Sequence, residues 1–143
     1  MTSEEVVKAF ISRIKAVNPI INSVVDNRFE LALEEARNID EAIKSGEKDE
    51  ETLEQETPFL GVPFTIKDCF SVKGTGMQKK LWILLTIRMC YIVGLRYTSG
   101  LVKRRNIIGE FDSDVVALMK KAGGVMLAIT NVPGILNVTL RNV

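Results

Sequence analysis

The sequence predicts an α/β fold, and three features support that prediction. The N-terminal part carries apolar residues at helical spacing in two successive stretches. A Gly/Pro turn then introduces a segment near residues 60–70 in which apolar and other side chains alternate. Further along, a capped helix leads into a short, fully apolar segment, a pattern typical of a strand buried on both faces of a parallel sheet. Together these features predict N-terminal helices followed by a βαβ unit.

The first helix is predicted to begin with a capping box and to end before a proline. Thr2 precedes Glu5 by three residues, which is the capping-box spacing. Because the residue before a proline avoids the helical conformation, Pro19 is expected to end this helix at Asn18. Its apolar stripe consists of Val6, Val7, Phe10, Ile11, Ile14 and Val17.

A second amphipathic helix is predicted after the short apolar piece Ile20–Val25. Asp26 is expected to cap it, and Gly46 is expected to end it. The charged stretch Glu47–Thr57 that follows is predicted to be a surface linker. The apolar stripe of this helix consists of Phe29, Ala32, Leu33, Ala36, Ile39 and Ile43.

The segment from Leu60 to Phe70 is predicted to be a strand. Since side chains alternate between the two faces of a strand, Lys67 is expected to lie on the less apolar face. The apolar face would carry Phe64, Ile66 and Phe70, and the other face Thr65, Lys67, Cys69 and Ser71.

The βαβ unit is completed by a helix and a second strand. Ser113 is expected to cap a helix that runs to Lys121, and Gly123-Gly124 to end it. The next five residues, Val125–Ile129, are all apolar and are predicted to form a buried strand. The inward side chains of the helix are predicted to be Val115, Val116, Leu118 and Met119.

Two segments fit this plan poorly. The apolar run within Lys79–Thr98 has neither helical nor alternating periodicity, and Arg88 interrupts it. It is too short for a transmembrane helix, which takes about 20 apolar residues, although an interfacial segment stays open. The tail Gly134–Val143 has no capping or packing pattern.

Composition excludes several kinds of chemistry. The chain has no histidine, which excludes Ser-His-Asp and Cys-His catalysis and most zinc sites. Its two cysteines, Cys69 and Cys90, are far apart and without partner ligands, which suits a reducing compartment and no metal site. No cofactor is expected. No signal peptide is expected, because Glu4 and Glu5 replace a basic start. We therefore expect a cytoplasmic or membrane-associated location.

The charge distribution is asymmetric along the chain. Residues 1–60 hold 14 acidic and 7 basic side chains, whereas residues 61–143 hold 4 acidic and 12 basic ones. Without aromatic residues among the basic ones, this asymmetry favours acidic helices packed beside a basic half, and no nucleic-acid partner is expected.

Without histidine, a lysine is the expected base if a serine acts as nucleophile. Two Ser-x-x-Lys matches, at Ser12 and Ser45, are attributed to chance because two occur in so short a chain. Ser12 lies off the apolar stripe of its predicted helix, and Ser45 lies at a helix end. Lys67 differs because it lies on a mostly apolar strand, and the nearby Gly61, Pro63, Gly74 and Gly76 would permit a close approach of a ligand. Spacing alone also fits an ordinary lysine at a strand end.

Three blocks of sequence resemble a known family. They are Val17–Val25, Phe59–Asp68, and the stretch from Asp114 through Gly123-Gly124 to Asn131. In this order they resemble the N-terminal part of the amidase-signature hydrolases and, within that family, its fatty-acid amide hydrolase branch. The Gly-Val-Pro-x-x-x-Lys-Asp block at 61–68 is the most specific of the three.

The resemblance implies a partial amidase-signature fold, whose mixed sheet would be incomplete. It implies Ser–cis-Ser–Lys amide hydrolysis with Lys67 as the catalytic lysine and a small-molecule amide as substrate; the substrate-binding residues stay unassigned. The family's two serines and oxyanion-hole glycines follow the Thr-Asn motif, whereas no Gly-Ser-Ser-Gly block occurs among these 143 residues. This chain is therefore expected to be inactive alone.

The resemblance also suggests a division of the chain. Residues 1–77 and 99–133 would form a partial amidase domain, 78–98 an apolar insertion, and 134–143 a divergent tail. Two alternatives stay open. One is a non-catalytic truncated isoform that binds a membrane surface or a full-length amidase. The other is the translation of an imperfect gene model with no settled fold.

Overall fold

The computed structural model describes residues 1–73 and 95–132, which form four α-helices and three strands. In chain order they are α1 (Ser3–Ile21), β1 (Val24–Asn27), α2 (Phe29–Ser45), α3 (Glu50–Glu56), β2 (Pro63–Lys67), α4 (Asp114–Lys121) and β3 (Val125–Thr130). A short 3-10 turn, Val102–Arg104, precedes α4. The predicted α/β class is confirmed.

The three strands form one mixed sheet in the order β1-β3-β2. β3 is parallel to β2 and antiparallel to β1. The unit β2-α4-β3 is the predicted βαβ unit, and β1 adds an antiparallel strand on the other side of β3. The two carboxyl ends of the parallel pair meet where Lys67 lies opposite Thr130.

The central strand β3 is buried on both faces. On one face, Val125 and Leu127 pack in a cluster with the α1 residue Val7 and the α2 residue Ala32. On the other, Met126 and Ile129 pack with Val116 of α4. These contacts confirm the prediction that the apolar segment Val125–Ile129 is a strand with two covered faces.

The predicted start of α1 is confirmed, and its predicted end is wrong. Thr2 is the N-cap and forms a full capping box with Glu5. The helix runs through Pro19 to Ile21. Pro19 lies in the last turn, so its missing N–H removes only one helical hydrogen bond. The helix then closes at Asn22, which has a left-handed φ of 47° and donates its N–H to the Asn18 carbonyl at 2.8 Å.

The predicted role of Asp26 as a helix cap is also wrong. Asp26 lies in β1, where it pairs with Ile129 of β3. The β-branched pair Val24-Val25 favours a strand, and the backbone enters α2 only at Phe29, after Arg28. The predicted end of α2 at Gly46 is confirmed, since that glycine has φ +69° in a C-cap.

The segment Glu47–Thr57, predicted as a linker, contains α3. Asp49 caps this helix because its side chain accepts a hydrogen bond from the Thr52 N–H at 2.8 Å. None of its residues is buried, so its charged composition resembles that of a linker even though the backbone is helical.

The apolar stripes of the helices are wider than the surfaces that they bury. Val7 and Ile11 of α1 are buried, whereas Phe10 is 52% exposed. On α4 only Val116 is buried, and Leu118, predicted to face inward, is 64% exposed. α1, α2 and α4 thus bury only part of their apolar residues against the three strands of the described residues.

Candidate functional site

Lys67, the predicted catalytic residue, is the last residue of β2. Its backbone lies opposite Thr130, the last residue of β3. The side chain is half-buried, and no carboxylate among the described residues forms an ion pair with it. Ligand sites of α/β proteins commonly lie at the carboxyl ends of parallel strands, which makes this end of the sheet the candidate site.

The strand ends at Lys67 because the chain turns there. The Phe70 N–H donates to the Lys67 carbonyl at 3.1 Å, which closes a tight turn over Asp68 and Cys69. The prediction of a strand continuing to Phe70 is therefore wrong, and Ser71 does not share a strand face with Lys67. The Ser71 side chain is buried and donates its hydroxyl to the Phe111 carbonyl at 2.6 Å. This serine has a structural partner.

Asp68 is buried beside Lys67, with only 4% of its surface exposed. Its Oδ1 accepts a hydrogen bond from the Thr98 N–H at 2.8 Å, and its Oδ2 accepts one from the Thr98 hydroxyl. Asp68 and Thr98 are 30 residues apart in the chain. No periodicity or motif could have indicated this contact, and sequence reasoning missed Thr98 altogether.

The segment from Leu95 onward crosses the carboxyl end of the sheet. Leu95 is buried in the same cluster as Met126, and the Arg96 N–H donates to the Asp26 carboxylate at 3.1 Å. Residues 95–98 thus contact both the β1 and the β2 side of the sheet. Residues 78–94 and the tail 134–143 lie outside the described residues, so the predicted insertion at 78–98 and the divergent tail stay predictions.

Gly61 makes a close approach to protein, where the sequence suggested an approach to a ligand. It has φ +75°, and an added Cβ would lie 2.4 Å from the Ser3 Oγ. The glycine therefore lets the loop before β2 pass against the start of α1. Gly74 and Gly76, also predicted to permit a close approach of a ligand, lie outside the described residues.

The pKa shifts that the structure resolves lie on the helices, away from Lys67. Hydrogen bonds from Lys8 and Arg37 lower the pKa of the Glu4 carboxyl. Burial alone would raise the pKa of Asp40. The Asp40 carboxylate accepts hydrogen bonds from the backbone N–H groups of Glu4 and Ser3, and these bonds lower the pKa below its ordinary value. These groups stabilise the α1–α2 pair.

An open groove of about 810 Å³ lies at the edge of the sheet formed by β1. It is bordered by the C-terminal half of α1 and the start of α2, including Asn18, Val25 and Phe29. Because β3 separates β1 from β2, this groove is distinct from the candidate site at Lys67.

Metal and membrane features were searched over the same residues. Across 1–73 and 95–132, no three potential metal-ligating side chains come together. In that part of the chain, too, the helices are too short or too polar to cross a bilayer.

Comparison with known proteins decides the family. The profile of the family described as Amidase matches residues 5–78 of the chain. This chain belongs to the amidase family. The matched part includes most of α1, all of α2 and the whole of β2, and therefore Lys67.

Among curated relatives, human fatty-acid amide hydrolase 2 is 42% identical over 127 residues, covering 89% of this chain and 20% of the human enzyme. Fatty-acid amide hydrolase 2-A of Danio rerio is 37% identical over 131 residues, covering 92% of this chain and 21% of the fish enzyme. The chain thus spans about a fifth of the length of these relatives, and the resemblance to the fatty-acid amide hydrolase branch is confirmed.

Solved amidase structures share the fold. The peptide amidase of Stenotrophomonas maltophilia aligns with a TM-score of 0.65 and 20% identity, covering 92% of this chain and 22% of the peptide amidase. A bacterial aryl acylamidase of the amidase-signature enzymes aligns with a TM-score of 0.64 and 24% identity, covering 93% and 22%. The predicted partial amidase-signature fold is confirmed by these alignments.

Proposed function

We propose that this chain carries the lysine of a Ser–cis-Ser–Lys amide hydrolase similar to the fatty-acid amide hydrolases, with Lys67 as the general base. In such a site the lysine amine takes a proton, through a bridging serine, from the nucleophilic serine, which attacks the amide carbonyl. The amine must be uncharged to do so. The substrate would be a small-molecule carboxamide.

One observation supports this role above the others. Lys67 ends β2 beside the end of β3, and its amine has no ion pair with a described carboxylate. A lysine amine that acts as a base must be uncharged, and an ion pair with a carboxylate would oppose that. The carboxylate of Asp68, the next residue in the chain, accepts hydrogen bonds from Thr98 instead.

We further propose that the 143-residue chain does not hydrolyse amides by itself. No Gly-Ser-Ser-Gly block is present in these 143 residues. The Ser71 hydroxyl donates a hydrogen bond to the Phe111 carbonyl. A fluorophosphonate probe should therefore acylate no serine of the pure chain. Labelling of any serine, or amide hydrolysis that is lost in Lys67→Ala, would contradict this proposal.

The role of Lys67 can be tested in a chimera. Residues 1–132 of this chain would replace the matching segment of human fatty-acid amide hydrolase 2. If the chimera hydrolyses a fatty-acid amide, Lys67→Ala should lower kcat by about 10²–10⁴-fold, the usual contribution of a general base. The control Lys103→Ala alters an exposed lysine and should keep the chimera's activity. Retained activity in Lys67→Ala would refute the assignment.

A second candidate function is non-catalytic binding to a membrane surface. The segment before α4 exposes apolar side chains, with Val102 at 78% and Phe111 at 65% exposure. The basic residues Lys103 and Arg105 follow Val102 in the chain and are exposed as well. Apolar side chains flanked by basic ones suit an anionic lipid surface. Flotation of the chain with phosphatidylserine vesicles, lost in Val102→Ser combined with Phe111→Ser, would support it. Co-purification with a full-length amidase, without flotation, would favour a protein partner instead.

A further inference from the structure

We propose that Asp68 and Thr98 form a positioning pair for Lys67. This inference rests on the proposed role of that lysine as a base. The pair fixes the loop Thr98–Leu101 against the end of β2, and it keeps the Asp68 carboxylate from forming an ion pair with the neighbouring Lys67 amine. Neither Asp68 nor Thr98 takes part in the proton transfer itself.

Asp68 joins three segments of the chain. Its N–H donates to the Thr130 carbonyl at 2.9 Å, and its own carbonyl accepts the Ser99 N–H at 2.8 Å. Its carboxylate accepts both the N–H and the hydroxyl of Thr98. The end of β2, the end of β3 and the loop at 98–99 are therefore held together around one buried residue. These hydrogen bonds hold the backbone that follows Lys67 in place.

The loop that Asp68 holds has an unfavourable backbone conformation. Ser99 has φ +52° and Gly100 has φ +73°. A serine pays a steric cost in this left-handed region, and the surrounding contacts must offset it. The Gly100 N–H donates to the Thr98 hydroxyl at 3.1 Å, while that hydroxyl donates to Asp68. One threonine hydroxyl thus connects the buried carboxylate to the strained loop.

The pair also determines what the Asp68 charge can do. A carboxylate within about 4–6 Å of a lysine amine favours the protonated form of that amine. The two oxygens of Asp68 are instead hydrogen-bonded to Thr98, and no described basic side chain forms an ion pair with them. The hydrogen bonds to Thr98 compensate the burial of this charge.

Arg96 and Asp26 also lie at this end of the sheet, where the Arg96 N–H donates to the Asp26 carboxylate. The other charged groups on the described elements near β2 have partners or are exposed. The adjacent strand β3 carries no titratable side chain. On α4, Lys120 pairs with Asp112 at 2.9 Å, while Asp114 and Lys121 are exposed. On α1, Glu4 pairs with Lys8 at 2.8 Å. Asp68 is therefore the carboxylate whose release would change the surroundings of Lys67 most.

The experiment measures how fast the Lys67 amine reacts, since only the uncharged amine is acylated. The folded chain is treated with trace sulfosuccinimidyl acetate at fixed pH, and peptide mass spectrometry gives the acetylation rate of Lys67 relative to the exposed Lys103. Thr98→Val removes the hydroxyl bond to the Asp68 Oδ2 but keeps the backbone bond to Oδ1. With Oδ2 released, the relative rate should fall by about two- to five-fold, the size of a modest ion-pair interaction. In Thr98→Ser, which keeps the hydroxyl, it should match that of the parent chain.

A double variant separates positioning from simple structural support. Thr98→Val combined with Asp68→Asn still lacks the pair, but it also lacks the freed charge, so the relative rate should recover to the parent value. A rate that stays low in the double variant, or one that never falls in Thr98→Val, overturns the proposal. If Thr98→Val fails to fold, as judged by amide exchange in Val125–Thr130, Thr98→Ala takes its place with the same expected results. Acetylation needs no amide turnover, so an inactive chimera would leave this result unchanged.

Discussion

The side-chain amide of Asn18 bonds both backbone polar groups of Val24. Its Oδ1 accepts the Val24 N–H at 2.8 Å, and its Nδ2 donates to the Val24 carbonyl at 3.1 Å. Val24 is the first residue of β1, which has β3 as its only strand neighbour among the described residues. The amide thus acts like a neighbouring strand, and it satisfies edge groups that would otherwise need water or another chain.

We expect Asn18→Ala to destabilise the chain by about 1–2 kcal/mol, since it removes two hydrogen bonds from a half-buried strand edge. Urea denaturation monitored by circular dichroism measures the change. Asn38→Ala is the matched control, because Asn38 is exposed on α2 and alanine favours a helix. It should leave the stability unchanged or raise it slightly. Equal losses in the two variants would contradict the proposed role of Asn18.

Local chemistry predicted much of the fold. The Thr2 capping box, the Gly46 stop and the apolar strand Val125–Ile129 each depend on a few neighbouring residues, and each was found as predicted. Asp26 was assigned wrongly because a strand with β3 competed with the cap, and that partner lies about a hundred residues away in the chain. Long-range pairing of this kind leaves no signal in a local pattern.

The sequence also predicted only part of the candidate site. The position of Lys67 at the end of a strand followed from the Gly/Pro turn and the alternation that precedes it. The partner of Asp68 could not follow from the sequence, because Thr98 reaches it across a segment with no periodicity. The turn after Lys67 was missed since Asp68, Cys69 and Phe70 continue an alternating pattern that a strand would also show.

The core on the helical side of the sheet provides a second prediction. Leu127 of β3 is 1% exposed and packs against residues of α1 and α2. We expect Leu127→Ala to cost about 2–5 kcal/mol, because the removed methyl groups leave a cavity that the surrounding side chains cannot fill. Leu118→Ala removes the same atoms from a side chain that is 64% exposed and should cost far less. Thermal unfolding of both variants tests the difference.

Two glycines with similar backbone angles provide a third prediction. Gly61 has φ +75° and lies against Ser3, whereas Gly46 has φ +69° and nothing within 4 Å of an added Cβ. Gly46→Ala should cost about 1–2 kcal/mol for the left-handed conformation alone. Gly61→Ala should cost about 1–3 kcal/mol more, because its Cβ overlaps the Ser3 side chain. Equal free energies of unfolding for the two variants would show that the start of α1 can move away without cost.

The loss of folding stability at low pH depends in part on Asp40. Its carboxylate accepts the N–H groups of Ser3 at 2.7 Å and Glu4 at 3.0 Å, at the start of α1. These bonds lower its pKa below the ordinary value of 3.8 in the folded chain, although burial opposes them. A lowered folded-state pKa means that the folded state binds this proton less tightly than the unfolded chain does. The stabilisation is therefore complete well above pH 3.8 and is lost as the pH falls below that value.

We therefore expect Asp40→Asn to be less stable than the parent chain at pH 7, with a difference that shrinks as the pH falls from about 5 through the ordinary carboxyl range. Urea denaturation at a series of pH values measures this dependence. Glu41→Gln changes the exposed neighbour on α2, which has no hydrogen-bond partner among the described side chains, and it should follow the parent curve. A stability difference between Asp40→Asn and the parent that stays constant down to pH 3 would mean that the carboxylate charge does not stabilise the start of α1, and that packing alone joins α1 to α2.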